Sequence, residues 1–297
     1  MHTETRPLNG NPFYLRRWGD PDKPLLLMLH GFPEYGGAWE ELVPLLAEHY
    51  HCVAPDQRGY GRSYAPDGVE NYTVAHLVGD MAALIDAFGG TAIVLGHDWG
   101  AAVAYGLAMR HPDRVSRLII ANGVHPVPFQ RALATGGAQC EASQYIHFLR
   151  RDGSEDVMAA NDYERMMATF SAKMNLSWMT SERQAEYKAA WGFGGGRLKT
   201  MINWYRASPV VVGTPGEPLT NLPEFPRAAL MVRCPHLLLW GEGDTALLPE
   251  ATEGLEEFAP DLTRITIAGA DHWVEHQKPE EMARHIQDWL SAKETAK

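Results

Sequence analysis

The 297-residue chain predicts an α/β fold: a mostly parallel central sheet with helices on both faces and a helical cap inserted between two of its strands. Three observations carry that expectation. Short apolar runs with the length of buried strands alternate with stretches of helical apolar spacing, the pattern of a parallel sheet covered on both sides. The alternation stops between about Val124 and Met231 and then resumes, which marks an insertion. Finally, one apolar run ends in a glycine-framed turn, Gly96-His97-Asp98-Trp99-Gly100, that leads directly into a helix.

In chain order, Phe13–Trp18 and Leu25–Leu29 read as successive strands separated by the turn residues Gly19 to Pro24. Trp39 to His49 has helical spacing at Trp39, Leu42, Val43, Leu46 and Ala47, and Cys52-Val53-Ala54 follows as a short buried strand. Val74–Phe88 is an amphipathic helix, Thr91–Leu95 a strand, Ala101–Met109 a helix and Arg117–Ala121 a strand. The inserted segment is rich in Met, Trp, Tyr and Gly, reads mainly as helices and loops, and includes a Pro-rich stretch, Pro215–Pro226. Beyond it, Pro235–Trp240 is a strand, the region around Pro249–Phe258 a helix, Thr263–Ile267 a strand and Pro279–Leu290 the last helix. The expected organisation is therefore a core of residues 1–124 and 231–297 with a cap of residues 125–230 over the sheet's C-terminal edge, where ligands of open α/β sheets bind.

A formal net charge of −11 without a basic stripe argues against nucleic acid and anionic membranes as partners. A small neutral substrate fits better. The first eleven residues are polar, and no apolar run approaches the length of a membrane span. Cys52, Cys140 and Cys234 are far apart and lack metal-ligand spacing. Reduced thiols and a cytoplasmic location follow as expectations, with no metal and no cofactor; oligomeric state is open.

Asp98 stands where a serine hydrolase would carry serine in a nucleophile elbow, a sharp strand-to-helix turn that exposes one side chain over the sheet edge. The residue type constrains the chemistry. A carboxylate that attacks a saturated carbon leaves an ester, which water can cleave in a second step. Attack on a carboxylic ester would give an uphill anhydride instead. The elbow thus points to displacement at an sp3 carbon, while the competing reading is an aspartate that merely caps the following helix.

The second step needs a base, and His272 is the best placed of the thirteen histidines, in the loop between the last strand and the C-terminal helix. Asp244, just beyond the strand ending in Trp240, could orient its imidazole; read alone, it is an ordinary turn residue. Asp271 is too near in sequence to serve, since neighbouring side chains diverge. Asn122 occupies a loop where a related arrangement could place an acid, and its being an amide favours Asp244.

Taken together, His30-Gly31-Phe32-Pro33-Glu34, Asp56-Gln57-Arg58-Gly59-Tyr60-Gly61, Gly96-His97-Asp98-Trp99-Gly100, Asp244 and His272 follow the nucleophile, acid, histidine order of the α/β-hydrolase fold. In detail they resemble its epoxide hydrolase branch. The resemblance spans nearly the whole chain. It implies a cis Phe32-Pro33 peptide, an oxyanion hole formed by the N–H groups of Phe32 and Trp99, and two cap tyrosines that donate to the epoxide oxygen. Met201-Ile202-Asn203-Trp204-Tyr205-Arg206 resembles the segment carrying one of these, Tyr205; Gln144-Tyr145-Ile146-His147-Phe148 resembles the other less closely and nominates Tyr145, with Tyr163 and Tyr187 unused. His30 reads as a loop brace, and Trp178, Trp191 and Trp204 as core or pocket wall. A small-molecule epoxide and water would be the substrates.

A haloalkane or haloacid dehalogenase also uses an elbow aspartate. The chain resembles haloalkane dehalogenases at Asp98-Trp99-Gly100 but has Phe32 where they often have asparagine, and it lacks the arginines that fluoroacetate dehalogenases place beside the nucleophile. A non-catalytic small-molecule receptor on the same scaffold is the alternative of another class.

Overall fold

A computed structural model describes every residue except 172–173, 221, 223–225 and 296–297. Its centre is an eight-stranded sheet formed by β1 (His2–Leu8), β2 (Asn11–Trp18), β3 (Leu25–Leu29), β4 (His51–Pro55), β5 (Ala92–His97), β6 (Val115–Ala121), β7 (His236–Gly241) and β8 (Leu262–Ile267). The spatial order is β1-β2-β4-β3-β5-β6-β7-β8. From β4 to β8 every pairing is parallel; β1 with β2, and β2 with β4, are antiparallel.

Strand alternation divides the core into two layers. Along β3, Leu25, Leu27 and Leu29 join one apolar cluster while Leu26 joins the other with Met28. Val94 and Leu95 of β5, and Ile120 and Ile119 of β6, part in the same way. Successive side chains in a strand point to opposite faces, so a run apolar at every position must be covered twice. The helices α1 (Val43–Leu46), α2 (Val74–Ala87) and α3 (Trp99–Arg110) do part of that covering, with α2 packed on α3 and α1 on the C-terminal helix.

Between β6 and β7 lie α4 (Pro126–Ala134), α5 (Ala138–Ala142), α6 (Tyr145–Leu149), α7 (Ser154–Ser171), α8 (Ser181–Gly192) and α9 (Leu198–Ala207). The backbone of α7 leaves the helical region at Ala160–Tyr163. The Pro-rich stretch lies partly outside the described residues. After β8 come α10 (Val274–Gln277) and α11 (Pro279–Thr295). Among the described residues no helix is long and apolar enough to cross a membrane.

One strand lies where no element was expected, and two expected helices are corrected. The polar N-terminus forms β1, an edge strand whose mostly accessible residues carry no apolar stripe to betray it. The helix expected over Trp39–His49 is a 3-10 turn at Gly36–Trp39 and the single α turn of α1; Pro44 supplies no N–H and can open a helix but not continue one. The helix expected around Pro249–Phe258 is two 3-10 segments, Pro249–Thr252 and Leu255–Glu257, parted at Gly254 with φ 76°.

Candidate active site

β5 ends at His97 and α3 begins at Trp99, so the reversal from strand to helix falls on Asp98 alone, at φ 49° and ψ −119°. A non-glycine residue rarely holds a positive φ without a surrounding that imposes it. The imposing contacts are close. A β-carbon on Gly100 would drive into the Leu29 carbonyl, and one on Gly31 into the Asp98 side chain, so both glycines let the elbow approach the end of β3.

The loop after β3 delivers Phe32, whose N–H donates to Asp98 Oδ1 at 2.8 Å. Its peptide bond to Pro33 is cis. His30 braces this loop: its Nε2 accepts from the Gln57 N–H at 3.2 Å, and the Gln57 side chain donates to the His30 carbonyl at 2.6 Å. Arg58 pairs with Asp80 through both ends of the guanidinium, at 2.6 and 2.8 Å, while Asp56 accepts from Arg16 and from the Gly36 N–H. The Asp56–Gly61 motif is thus scaffolding for the Phe32 loop. Trp99 is the first residue of α3, and helix geometry leaves such an amide for an acceptor outside the helix.

His272 Nε2 lies 3.6 Å from Asp98 Oδ2, and its Nδ1 donates to Asp244 Oδ2 at 2.8 Å. With Nδ1–H committed to a carboxylate, the neutral ring presents an unprotonated Nε2 toward Asp98. Asp244 Oδ1 accepts from the N–H groups of Ala246 and Leu247, and Oδ2 also accepts from Asn122 Nδ2. Burial opposes charge on both partners, yet His272 and these donors hold the Asp244 carboxyl below its usual range, and Asp244 raises His272 above its ordinary value. Asp271 instead accepts from the N–H groups of Asn175 and Trp273, bracing the loop.

Opposite Asp98 stand two phenols. Tyr205 packs edge-to-face on Phe32 and Trp99, with centroids 5.1 and 5.0 Å away, and its ring lies 6.1 Å from that of Tyr145. Burial, followed by the Asp98 charge, pushes the Tyr145 hydroxyl up; for Tyr205, burial leads, followed by Tyr145 and then Asp98. Tyr145 is nevertheless 40% exposed. Tyr187 is committed elsewhere, donating to Glu34 at 2.8 Å, and Tyr163 packs on Trp191. Trp191 and Trp204 donate to the carbonyls of Pro33 and Arg58, tying the inserted helices to the core, and Trp178 stacks on His276 at 3.9 Å.

Sequence reasoning assigned no role to the ionisable cluster under this site. Glu34, His97, Glu275 and His276 are all buried. Glu34 and His97 sit inside the His30–Glu34 and Gly96–Gly100 motifs, and Glu275-His276 follows His272 by one helical turn; that density of charge beside a strand end is the signal that could have found it. Among the described residues Glu34, Glu275 and His276 form the one group whose potential ligand atoms converge, within 4.8 Å, but Glu34 and His276 already bond each other at 2.9 Å. The three cysteines are free thiols.

The chain matches the alpha/beta hydrolase fold family over residues 24–279. Epoxide hydrolase 1 of Caenorhabditis elegans is 33% identical over 279 residues, covering 92% of this chain and 66% of that protein. A solved structure among novel epoxide hydrolases from hot-environment metagenomes superposes with a TM-score of 0.87 at 33% identity, covering 98% of both chains. A Bacillus megaterium epoxide hydrolase variant, solved with a naphthyloxy-propanediol product, superposes with a TM-score of 0.85 at 26% identity over 97% of this chain and 100% of that one. By these likenesses the chain is a hydrolase and belongs to the epoxide hydrolase branch of the α/β-hydrolase fold family.

Proposed function

We propose that this protein opens an epoxide with water to a vicinal diol through an ester on Asp98. The observation that carries the reading is the setting of the Asp98 carboxylate: one oxygen on the Phe32 N–H, the other 3.6 Å from His272 Nε2, and two phenols within reach of its charge. Helices α4–α9, inserted between β6 and β7, act as the cap that supplies those phenols.

In the first step Asp98 attacks a ring carbon, the C–O bond breaks, and the departing oxygen takes a proton from Tyr145 or Tyr205 while the other phenol donates a hydrogen bond. Such donors make a poor leaving group workable, because no free alkoxide forms. In the second step His272 takes a proton from water as the water adds to the Asp98 ester carbonyl. The developing oxyanion lies against the N–H groups of Phe32 and Trp99, preorganised for that charge. Collapse expels the alkoxide, which takes the proton of the hydroxyl that water added, so the diol and the Asp98 carboxylate are released; the proton on His272 returns to the phenolate. The diol keeps the Asp98 oxygen that attacked the ring and water's oxygen replaces it in the carboxylate, so the net reaction adds one water and needs no cofactor.

The test is the intact mass of His272→Gln after exposure to an aryl epoxide or to a primary haloalkane. A stable adduct equal to the whole epoxide, mapped to Asp98, is the expected result. An adduct of haloalkane minus hydrogen halide would assign a dehalogenase instead, and binding of the epoxide with no adduct from either would point to a receptor.

A further inference from the structure

Tyr145 and Tyr205 come from different helices, α6 and α9, and two arginines cross-link the ends of those helices. Arg150 follows the last residue of α6. Its Nε donates to the Tyr205 carbonyl at 2.9 Å, and its Nη2 to the carbonyls of Ser208 at 3.1 Å and Val210 at 2.8 Å. In the reverse direction Arg206, the neighbour of Tyr205, donates through Nη2 to the Arg151 carbonyl at 2.8 Å and to Ser154 Oγ at 3.1 Å, and pairs with Glu155. Each tyrosine segment thus reaches the backbone of the other.

The sequence explains why the Tyr205 carbonyl lacks a donor from its own helix. α9 ends at Ala207, which leaves its last carbonyls without partners inside the helix. The N–H four positions beyond Tyr205 would belong to Pro209, which has none. Arg150 fills that place, and a cation suits a helix C-terminus. The guanidinium is half-buried, and burial holds it below its ordinary value. Among the described residues no carboxylate is paired with it; its three hydrogen bonds all go to carbonyls.

The two helices are anchored differently. α9 is bonded to the core from end to end: Arg197 donates to the Gly61 carbonyl at 2.8 Å, Thr200 to that of Gly59 at 2.6 Å and Trp204 to that of Arg58 at 2.9 Å. α6 is tethered on its N-terminal side, where Gln139 of α5 donates to the Ala246 carbonyl at 3.0 Å and accepts from the Leu248 N–H at 2.8 Å. Beyond Tyr145 the bonds of Arg150 and Arg206 take over.

We propose that Arg150 is a positioning residue for ring opening: its fork, braced by Arg206, fixes the Tyr145 helix on the Tyr205 helix so that both phenols converge on one oxygen. It acts through the Tyr205 backbone. An oxygen can accept from two donors only where both are in place together, and a displacement of about 1 Å can cost about 100-fold in rate. The fork matters as well as the charge, because one planar group spans carbonyls five residues apart, at Tyr205 and Val210, which a single ammonium cannot do.

The clamp itself is independent of the substrate, whereas its effect on rate rests on the function proposed above. The test therefore has two readouts. In tyrosine-labelled protein the Tyr145 and Tyr205 rings, with centroids 6.1 Å apart, should show a nuclear Overhauser contact that weakens or vanishes in Arg150→Met. With an aryl epoxide under single-turnover conditions, Arg150→Met should form the Asp98 ester roughly 10- to 100-fold more slowly, while decay of the ester stays within a few-fold of wild type. Arg150→Lys keeps the charge and the stem and should recover little of the lost rate; it carries the test alone if Arg150→Met does not fold. Equal losses in both half-reactions would mean a structural role only and would overturn the proposal. An unchanged ring contact, or wild-type ester formation in either variant, would overturn it too. If the ring contact is lost in the variant but the wild type forms no ester with the epoxide, the clamp stands and the assigned reaction does not.

Discussion

Asn122 and His272 share one oxygen of Asp244: Asn122 Nδ2 and His272 Nδ1 each lie 2.8 Å from Oδ2. Asn122 holds this post at φ 37°, with its own Oδ1 accepting from the Gly241 N–H at 2.7 Å. An amide is the side chain that can accept from a strand end and donate to a carboxylate at once. Asp244, the proposed orienter of His272, is therefore itself oriented by a residue at the end of β6, the strand between β7 and the β5 that leads to Asp98.

Replacing Asn122 by Asp would set two carboxylates against each other, and the pair would share a proton at neutral pH. Ester hydrolysis in Asn122→Asp should slow by roughly 10- to 100-fold, and in Asp244→Asn, which loses the acceptor for His272 Nδ1–H, by about 10³- to 10⁴-fold. Alkylation of Asp98 should change far less in both. Rapid quench with separate measurement of ester formation and decay checks this; equal losses in the two steps would contradict it.

In the proposed cycle the tyrosines serve the other half. Tyr145→Phe with Tyr205→Phe should slow ester formation by about 10²- to 10⁴-fold, the range for a positioned proton donor. The decay of ester already formed should stay within a few-fold of wild type. Stopped-flow fluorescence of the tryptophans near the site can follow alkylation, since Trp99 packs on Tyr205; an unchanged alkylation rate would remove both phenols from the mechanism.

Stability should peak near neutral pH because two pairs of histidines pull in opposite directions. Burial opposes charge on His276, but Glu34 and Glu41 raise it to about 9, and His97 is raised as well. Their contribution is full below the unfolded value of about 6.5, and that of His276 is lost as pH rises through about 9. Burial lowers His125 to about 4 and His236 to about 3; their contribution is full above about 6.5 and is lost as pH falls toward those values. Melting temperatures between pH 4 and 10 should fall on both sides of a maximum near pH 6.5 to 7. A plateau extending to pH 9 would mean that the buried imidazoliums are absent.

Two glycines make opposite predictions. A β-carbon on Gly100 meets the backbone oxygen of Leu29, which cannot yield without moving β3, so Gly100→Ala should be insoluble or strongly destabilised. Gly79, inside α2, has open space where a methyl group would stand, with nothing within 4 Å, and Gly79→Ala should stabilise by about 0.5–1 kcal/mol through helix propensity. Thermal melts of the two variants, run side by side, decide both.

The sequence by itself determined what depends on neighbours in the chain. Apolar runs such as Leu25–Leu29 announce strands buried on both faces, and Gly96 to Gly100 announces a sharp turn with Asp98 at its tip, because strand period and turn geometry are set over a few residues. For the same reason local signals misread Trp39–His49 and Pro249–Phe258, where Pro44 and Gly254 cut short a helical pattern. Only the tertiary structure decided which side chains meet. The sheet order carries Asp244 to His272 and Phe32 to Asp98, 28 and 66 residues apart, and it brings Glu34, His97 and Glu275 together in the interior. Hydrogen bonds of that kind depend on ångström-scale placement by strands β3, β5 and β7, and on the exclusion of water that makes a buried charge seek a partner. Neither condition leaves a period or a spacing that the chain alone could display.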